Sequence, residues 1–223
     1  MIRFFDILFS GFALLILSPI LVPVSLILKL TGEGEIFYFQ KRVGKDGKIF
    51  KLFKFATMLK NSENMGAGTV TVKNDPRVLP VGKFLRKTKI NELPQLINIF
   101  IGDMSVIGPR PLTSKSFSAY SIQVQSIIRD HKPGLSGIGS IIFRNEEELL
   151  DGHKEPFEYY TKEIAPYKGE LEKWFALNRS LSLYFLCIFL TVMVVMFPNR
   201  KIVSYFIKTL PRPQSELKHK LNF

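Results

Sequence analysis

Sulfur chemistry is almost absent from this chain: Cys187 is the one cysteine in 223 residues. A single thiol excludes an intramolecular disulfide framework and a cysteine-based zinc site, and it fits a reducing compartment or a membrane-bound position. Histidine is as sparse, with His131, His153 and His219 scattered at no metal-ligand spacing. Acid is short relative to base: 19 Asp+Glu stand against 31 Lys+Arg, a net charge of +12. That sign favours anionic partners (nucleic acid, acidic headgroups, phosphorylated substrates) or marks a solvated basic surface. The sequence shows no internal repeat, no Walker-type phosphate loop, no Rossmann glycine fingerprint and no nucleic-acid module signature.

Apolar sequence is plentiful. Phe4 to Leu28 is interrupted only by Asp6, Ser10, Ser18 and Ser25 among polar residues. About 20 apolar residues span a bilayer, and the run lacks the small-x-small cleavage site of a signal peptide. Ser18-Pro19 and Pro23 fall within it, and proline removes a helical donor and clashes with the preceding turn. Arg3 lies on one side and Lys29, Lys41 and Arg42 on the other, so positive charge gives no orientation bias. The reading is a re-entrant helix–break–helix over residues 1–30, broken at Ser18-Pro19; a kinked spanning helix is the plainer form of the same segment. Asp6 is expected at headgroup level, paired with Arg3.

A different pattern starts at Glu35. EIFYFQKRVGKDGKIFKLFKFATM reads as strand, turn, strand, with Lys45-Asp46-Gly47 as the turn. Lysines at 48, 51 and 54 alternate with phenylalanines at a spacing of three, which suits a helix better than a strand. Such interleaving is compatible with single-stranded nucleic acid, but a hairpin facing lipid or solvent is preferred. Asn61 to Asn74 reads as a mobile loop and Asp75-Pro76-Arg77 as a turn. Val81 to Lys89 reads as a basic amphipathic helix.

The chemistry concentrates between Lys87 and Pro111, KTKINELPQLINIFIGDMSVIGPRP. Asn91 is placed as a helix N-cap, with Glu92 in the first turn and Pro94 and Gln95 behind it. Gly102-Asp103 ends that helix, and Met104 to Ile107 is a short buried strand. Gly108-Pro109-Arg110-Pro111 is a rigid loop presenting one guanidinium, a group that grips phosphate bidentately. With Arg86 and Lys87 nearby, a phosphate site follows.

At these residues the chain resembles the bacterial sugar transferases, the monotopic phosphoglycosyl transferases. KFLRKTKINELPQLINIFIGDMSVIGPRPL is similar to their catalytic segment. The Ser18-Pro19 helix, the FYFQKRVGKDGKIFKLFKFATM hairpin and the HKPGLSGIGSIIFR block, His131 to Arg144, match in family order. The resemblance implies transfer of a sugar phosphate from a UDP-sugar to undecaprenyl phosphate with release of UMP, using magnesium and a covalent phosphosugar on an aspartate. It places Arg86 and Arg110 on the phosphates, beside the Lys87 that adjacency adds, with Glu92 as catalytic carboxylate and metal ligand and Pro94, Gln95 and Asp103 in support. It also implies the bacterial inner membrane, with the catalytic domain on the cytoplasmic face; a homodimer is compatible with it. The chain departs from the motif at one position. Asn91 stands where the family has its nucleophilic aspartate, and a carboxamide is a poor nucleophile at phosphorus. Three accounts stay open: an active enzyme using Glu92 or direct attack by the acceptor, a form with asparagine substituted for aspartate, and an inactive member that binds nucleotide sugar or polyprenyl phosphate as a scaffold.

Downstream, Glu146, Glu147, Glu148, Asp151 and Glu155 form an acidic cluster, read as a solvated face before a metal site. Leu181 to Phe197 is uncharged, at the lower length limit of a spanning helix, and apolar all round. Lys201, Lys208, Arg212, Lys218 and Lys220 fit a cytoplasmic tail near anionic lipid. The expected whole is an α/β membrane-associated fold with short strands and interfacial amphipathic helices. Its expected parts are residues 1–30, a catalytic domain 31–179, a hydrophobic helix 180–198 and a basic tail 199–223.

Overall fold

A computed structural model describes residues 1–65, 75–197, 201–213, 217 and 220–221, without the side chains of Glu63, Glu147 and Lys201. Residues 66–74 of the expected 61–74 loop, and Lys218 of the expected tail, lie outside the described residues. The chain opens with a long helix α1 (Ile2–Leu30), then a hairpin of β1 (Phe37–Val43) and β2 (Ile49–Phe55). The segment expected to carry chemistry folds as α2 (Pro80–Lys87), α3 (Gln95–Ile101) and β3 (Ser105–Ile107). Next come α4 (Ser114–Ser118), α5 (Ile122–Ile128), β4 (Gly134–Ser136), α6 (Ile138–Ile142), α7 (Glu146–Leu150) and α8 (Pro156–Tyr159). The chain continues through α9 (Ala165–Leu177) and α10 (Leu181–Met196) to α11 (Lys201–Phe206).

The mixed α/β class holds, with two small sheets. β1 and β2 pair antiparallel through the expected turn at Lys45–Gly47, where Asp46 takes φ 58°. β3 and β4 pair in parallel, Ser105 with Gly134 and Ile107 with Ser136. The main core gathers Ile138, Ile142, Ile164, Leu171, Phe175, Cys187 and Leu190. A second cluster seats Leu52 of β2 against Leu96, Ile99 and Met104. A third joins Leu28 of α1 to Phe55 and Leu85.

Helix α1 is helical throughout, with Pro19 and Pro23 inside it. The expected break at Ser18-Pro19 is therefore corrected to one continuous element. Pro19 cannot donate to the Leu15 carbonyl four residues back; the Ser18 hydroxyl donates to it instead, at 2.8 Å. The helix is 29 residues, about 44 Å at 1.5 Å per residue, long and apolar enough to cross a membrane. Ala13, Leu14 and Leu17 pack on the second cluster and Leu21, Val24 and Leu28 on the third, a stripe at helical spacing. Phe4, Leu8, Phe12, Leu15, Ile16, Leu26 and Leu30 are exposed on the rest of its surface.

Two polar residues lock the N-terminal half of α1. The Asp6–Arg3 pair expected at headgroup level is not formed. Asp6 is buried, and its Oδ1 accepts from the Ser105 hydroxyl, the Val106 amide and the Tyr184 hydroxyl, each at 2.9 Å. Arg3 donates to the carbonyls of Ile99 and Phe100, capping the C-terminus of α3. Helix α10 is apolar on both faces, as expected: Leu183, Tyr184, Cys187, Leu190 and Val194 are buried, whereas Phe189, Val192, Val195 and Met196 are exposed.

Removing the shared acceptor in Asp6→Ala strands two buried hydroxyls and the part-buried Val106 amide and is expected to cost about 2–4 kcal/mol, whereas Tyr184→Phe should cost about 1 kcal/mol. Thermal unfolding of the detergent-purified protein checks this, and an Asp6→Ala midpoint equal to wild type would refute the anchoring role.

Candidate active site

Strand β2 delivers the first functional side chain. Residues three apart on a strand point to opposite faces. Lys51 is therefore exposed, while Lys54 turns inward with Leu52. Asn98 of α3 fixes this strand: its Oδ1 accepts from the Phe53 amide at 2.9 Å and its Nδ2 donates to the Lys51 carbonyl at 2.8 Å. The register is thus held at the residues just before Lys54.

Helix α2 ends in a left-handed reversal at Lys89, φ 60°, followed by a 3-10 turn over Ile90–Glu92. Asn91 lies inside this turn and not at the N-cap of α3, a position that Pro94 occupies. The reversal sends the Glu92 carboxylate toward β2, where Lys54 Nζ lies 3.4 Å from Oε1. Arg110 brings Nη2 to 4.0 Å of the same oxygen.

The Arg110 loop sits where it does because two glycines admit it. A Cβ on Gly134 would lie 2.0 Å from the Gly108 amide nitrogen, and one on Gly137 would lie 2.2 Å from the Gly108 carbonyl oxygen. The bare backbone lets Gly108 donate to Ser136 and Gly134 donate to Pro109, at 2.9 and 2.8 Å. Arg42 of β1 ties the other end by donating to the Pro111 carbonyl at 3.0 Å. Behind the loop, the buried Glu172 accepts from the Arg110 amide at 3.2 Å.

These groups open on one cavity of about 1080 Å³. Arg42, Lys54, Arg86 and Arg110 line it together with Asn91 and Glu92. Further polar groups, among them Glu35, Lys60, Lys89, Arg144 and Glu146, also line it, and its apolar lining includes Leu17 and Ile20 of α1 and Ile188, Val192 and Val195 of α10. Burial pushes the Glu92 carboxyl up, but Lys54, Arg110 and Lys89 outweigh it and hold the group down at about 2. Burial pushes the Lys54 ammonium down to about 8; Glu92 resists this, and Arg42, Arg110 and Arg86 add to it. The cations crowd one another around a single carboxylate, and an anionic ligand relieves that crowding.

Of the residues expected at the site, Asn91, Glu92, Arg86 and Arg110 line the cavity. Lys87 is exposed and does not, because it falls on the outer side of the last turn of α2. Asp103 lies past the far end of α3 and receives the Asn98 amide at 3.2 Å, a scaffold role. Pro94 and Gln95 are buried beneath the turn. Ser18 and Pro19 serve the backbone of α1 and are not cavity residues. Lys54, Arg42 and Glu172 were missed. Strand parity was the available signal for Lys54, whereas nothing local marks Glu172. In the acidic cluster Glu146 pairs with the buried Lys168, and no metal-holding group of His, Cys, Asp or Glu occurs among the described residues.

Comparison with known proteins follows the same outline. A family model described as bacterial sugar transferase matches residues 1–198. The chain belongs to this family. It is 38% identical over 162 residues to the UDP-glucose:undecaprenyl-phosphate glucose-1-phosphate transferase of Klebsiella pneumoniae, covering 70% of this chain and 34% of that protein. It is 37% identical over 159 residues to the undecaprenyl-phosphate galactose phosphotransferase of Salmonella typhimurium, covering 65% of this chain and 33% of that one. It is 36% identical over 158 residues to the exopolysaccharide production protein ExoY of Rhizobium meliloti, covering 65% of this chain and 70% of that one. The chain thus spans about a third of the first two relatives and most of the third.

Two pH dependences follow. Lys54 should lose its proton as pH rises through about 8, so binding of an anionic diphosphate should weaken above that pH. In a pH titration of UDP affinity, Lys54→Arg should remove this alkaline limb; an unchanged limb would exclude Lys54 as its source. Glu172 is pushed up to about 7, chiefly by burial, with the Arg110 amide, Lys168 and Arg110 opposing. Its folded pKa lies above the unfolded one, so the folded state holds an extra proton between about pH 4.5 and 7. Stability is therefore lost as pH rises through that window and is flat above it. Glu172→Gln should gain on wild type by of order 3 kcal/mol between pH 5 and 8. Denaturation midpoints that run parallel at both pH values would count against this.

Proposed function

We propose that the chain transfers a sugar 1-phosphate from a UDP-sugar to undecaprenyl phosphate, releasing UMP, as an initiating step of bacterial polysaccharide or glycoconjugate assembly. The observation that carries this reading is the mixed lining of the cavity. Arg42, Lys54, Arg86 and Arg110 gather with the ionised Glu92 in one part of its lining, and apolar residues of α1 and α10 form another. A soluble diphosphate suits the first part and a polyprenyl chain the second. The names of the relatives point to the same acceptor and to sugar phosphates.

In this reading Arg42, Lys54, Arg86 and Arg110 bind the diphosphate and neutralise charge that builds on the leaving UMP. Glu92, kept ionised, attacks the phosphorus that bears the sugar. The bond to the UMP oxygen breaks, UMP leaves with the electron pair, and an acyl phosphate holds the sugar phosphate. The lipid phosphate then attacks the same phosphorus and releases Glu92. The residues also fit a magnesium ion. Mg²⁺ commonly takes one or two protein oxygens, keeps waters and fills its shell from substrate phosphate. Glu92 offers a carboxylate and the neighbouring Asn91 an Oδ1 that is buried without a partner. Such an ion would add charge neutralisation at the diphosphate.

The same reading keeps α1 in the cytoplasmic leaflet. Both of its ends rest on one domain, Arg3 on α3 and Leu28 against Phe55 and Leu85. With the helix unbroken, that favours a course along the domain, its exposed apolar face sunk in lipid and both ends on one side. The second reading, a scaffold that binds without turnover, is favoured by Asn91 alone.

Glu92→Gln should lower UMP release by roughly 10³-fold or more, and intact-mass measurement should find a sugar-phosphate adduct on wild type and none on the variant. Wild type that releases no UMP with any UDP-sugar would sink the transferase reading and leave the scaffold; a large gain in Asn91→Asp would mark Asn91 as a substituted nucleophile. For the membrane course, cysteines placed at Phe4 and Leu30 should both react with an impermeant maleimide from the cytoplasmic face of inverted vesicles. Labelling of one end only would mean that α1 crosses.

A further inference from the structure

The cavity continues past Arg110 into a compartment that the chemistry above leaves unused. Its walls come from α6, α7, α8 and the turn before α9, and they include Ser140, Phe143, Glu146, Phe157 and Tyr160. Tyr160 is 5% exposed; its hydroxyl faces the buried Tyr120 hydroxyl and meets no other hydrogen-bond partner among the described residues. The Ser140 hydroxyl is buried without any partner among them. An unpaired buried hydroxyl costs about 1–3 kcal/mol, so folded proteins rarely keep such capacity unused beside a void unless something arrives to pair with it.

The backbone is arranged to put Tyr160 there. It opens a π-turn, Tyr160–Ile164, between α8 and α9. Such turns are rare and recur at functional sites. The wider turn winds less per residue, so Tyr160 comes round to the side of Lys168, whose Nζ lies 5.8 Å from the Tyr160 ring. Glu146 Oε2 takes the Lys168 ammonium. Phe143 and Phe157 add flat apolar surface next to these polar atoms. Hydroxyls that can both donate and accept, a carboxylate, and aromatic faces together match a ring carrying several hydroxyl groups.

We infer that this compartment binds the hydroxylated ring of the donor, glycosyl or ribosyl, through Tyr160 and Ser140, and so sets which nucleotide sugar is accepted. The inference rests on the nucleotide-sugar reading given above. Full-length wild type, Tyr160→Phe and Ser140→Ala are titrated calorimetrically with inorganic pyrophosphate, UDP, UDP-glucose, UDP-galactose, UDP-N-acetylglucosamine and UDP-N-acetylgalactosamine. Each variant should bind the preferred UDP-sugar about 5–30-fold more weakly, with pyrophosphate unchanged within about two-fold. If UDP is also unchanged, the ring is the glycosyl one; if UDP weakens in step, it is the ribose. The inference is overturned if UDP-sugar affinity stays within about two-fold of wild type, if pyrophosphate weakens in parallel, or if wild type binds no UDP-sugar. Wild type that binds UDP-sugars yet releases no UMP would overturn the transferase reading and leave this one standing.

Discussion

One carboxyl oxygen, Oδ1 of Asp6, joins three elements that are remote in sequence. It accepts from β3 twice and from α10 once, at the end of a helix otherwise almost wholly apolar. A polar group inside an apolar segment is costly unless it is paired. The three donors therefore define how α1 sits on the domain. β3 runs directly into the Arg110 loop, and α10 supplies part of the apolar cavity wall, so the same oxygen sets the membrane helix in register with the site.

The second constraint is backbone packing at β3 and β4. Gly134 and Gly137 allow the Gly108-Pro109-Arg110-Pro111 loop to lie directly on the neighbouring strand, closer than any side chain permits. With Glu172 holding the Arg110 amide and Arg42 the Pro111 carbonyl, the loop presents Arg110 to the Glu92 oxygen that Lys54 also approaches. The positive field in the cavity follows from rigid backbone, and it precedes any ligand. Preorganised charge of this kind stabilises developing anionic charge without reorganising at the moment of reaction.

Much of this was legible in order along the chain. The hairpin and its Lys45–Gly47 turn, the helix carrying Arg86, the stop at Gly102, the strand at Ser105–Ile107 and the Arg110 loop all carry local signals. Proline, glycine and the apolar period act on neighbouring residues, so they can be read there. Where the reading failed, either the deciding partner was distant or local geometry overrode adjacency and propensity. Asp6 was assigned to headgroups because its partners lie about 100 and 178 positions away. Lys87 was grouped with Arg86 by adjacency, although successive residues on a helix point in different directions. The Ser18-Pro19 break was expected from proline chemistry alone, and a serine hydroxyl supplied the donor that proline lacks.

By itself the amino-acid sequence determined the class of the molecule: a basic, nearly thiol-free chain with an apolar N-terminal helix and the motif order of the sugar transferases. It also determined that a carboxamide stands at position 91. Tertiary structure alone decided that Lys54 is the close partner of Glu92, that Asp103 is scaffold, and that Tyr160 and Ser140 face a second compartment of the same cavity. The reason is physical. Local propensity and periodicity act over a few residues, whereas the charge and burial that tune a site are summed over whatever the fold brings within a few ångströms.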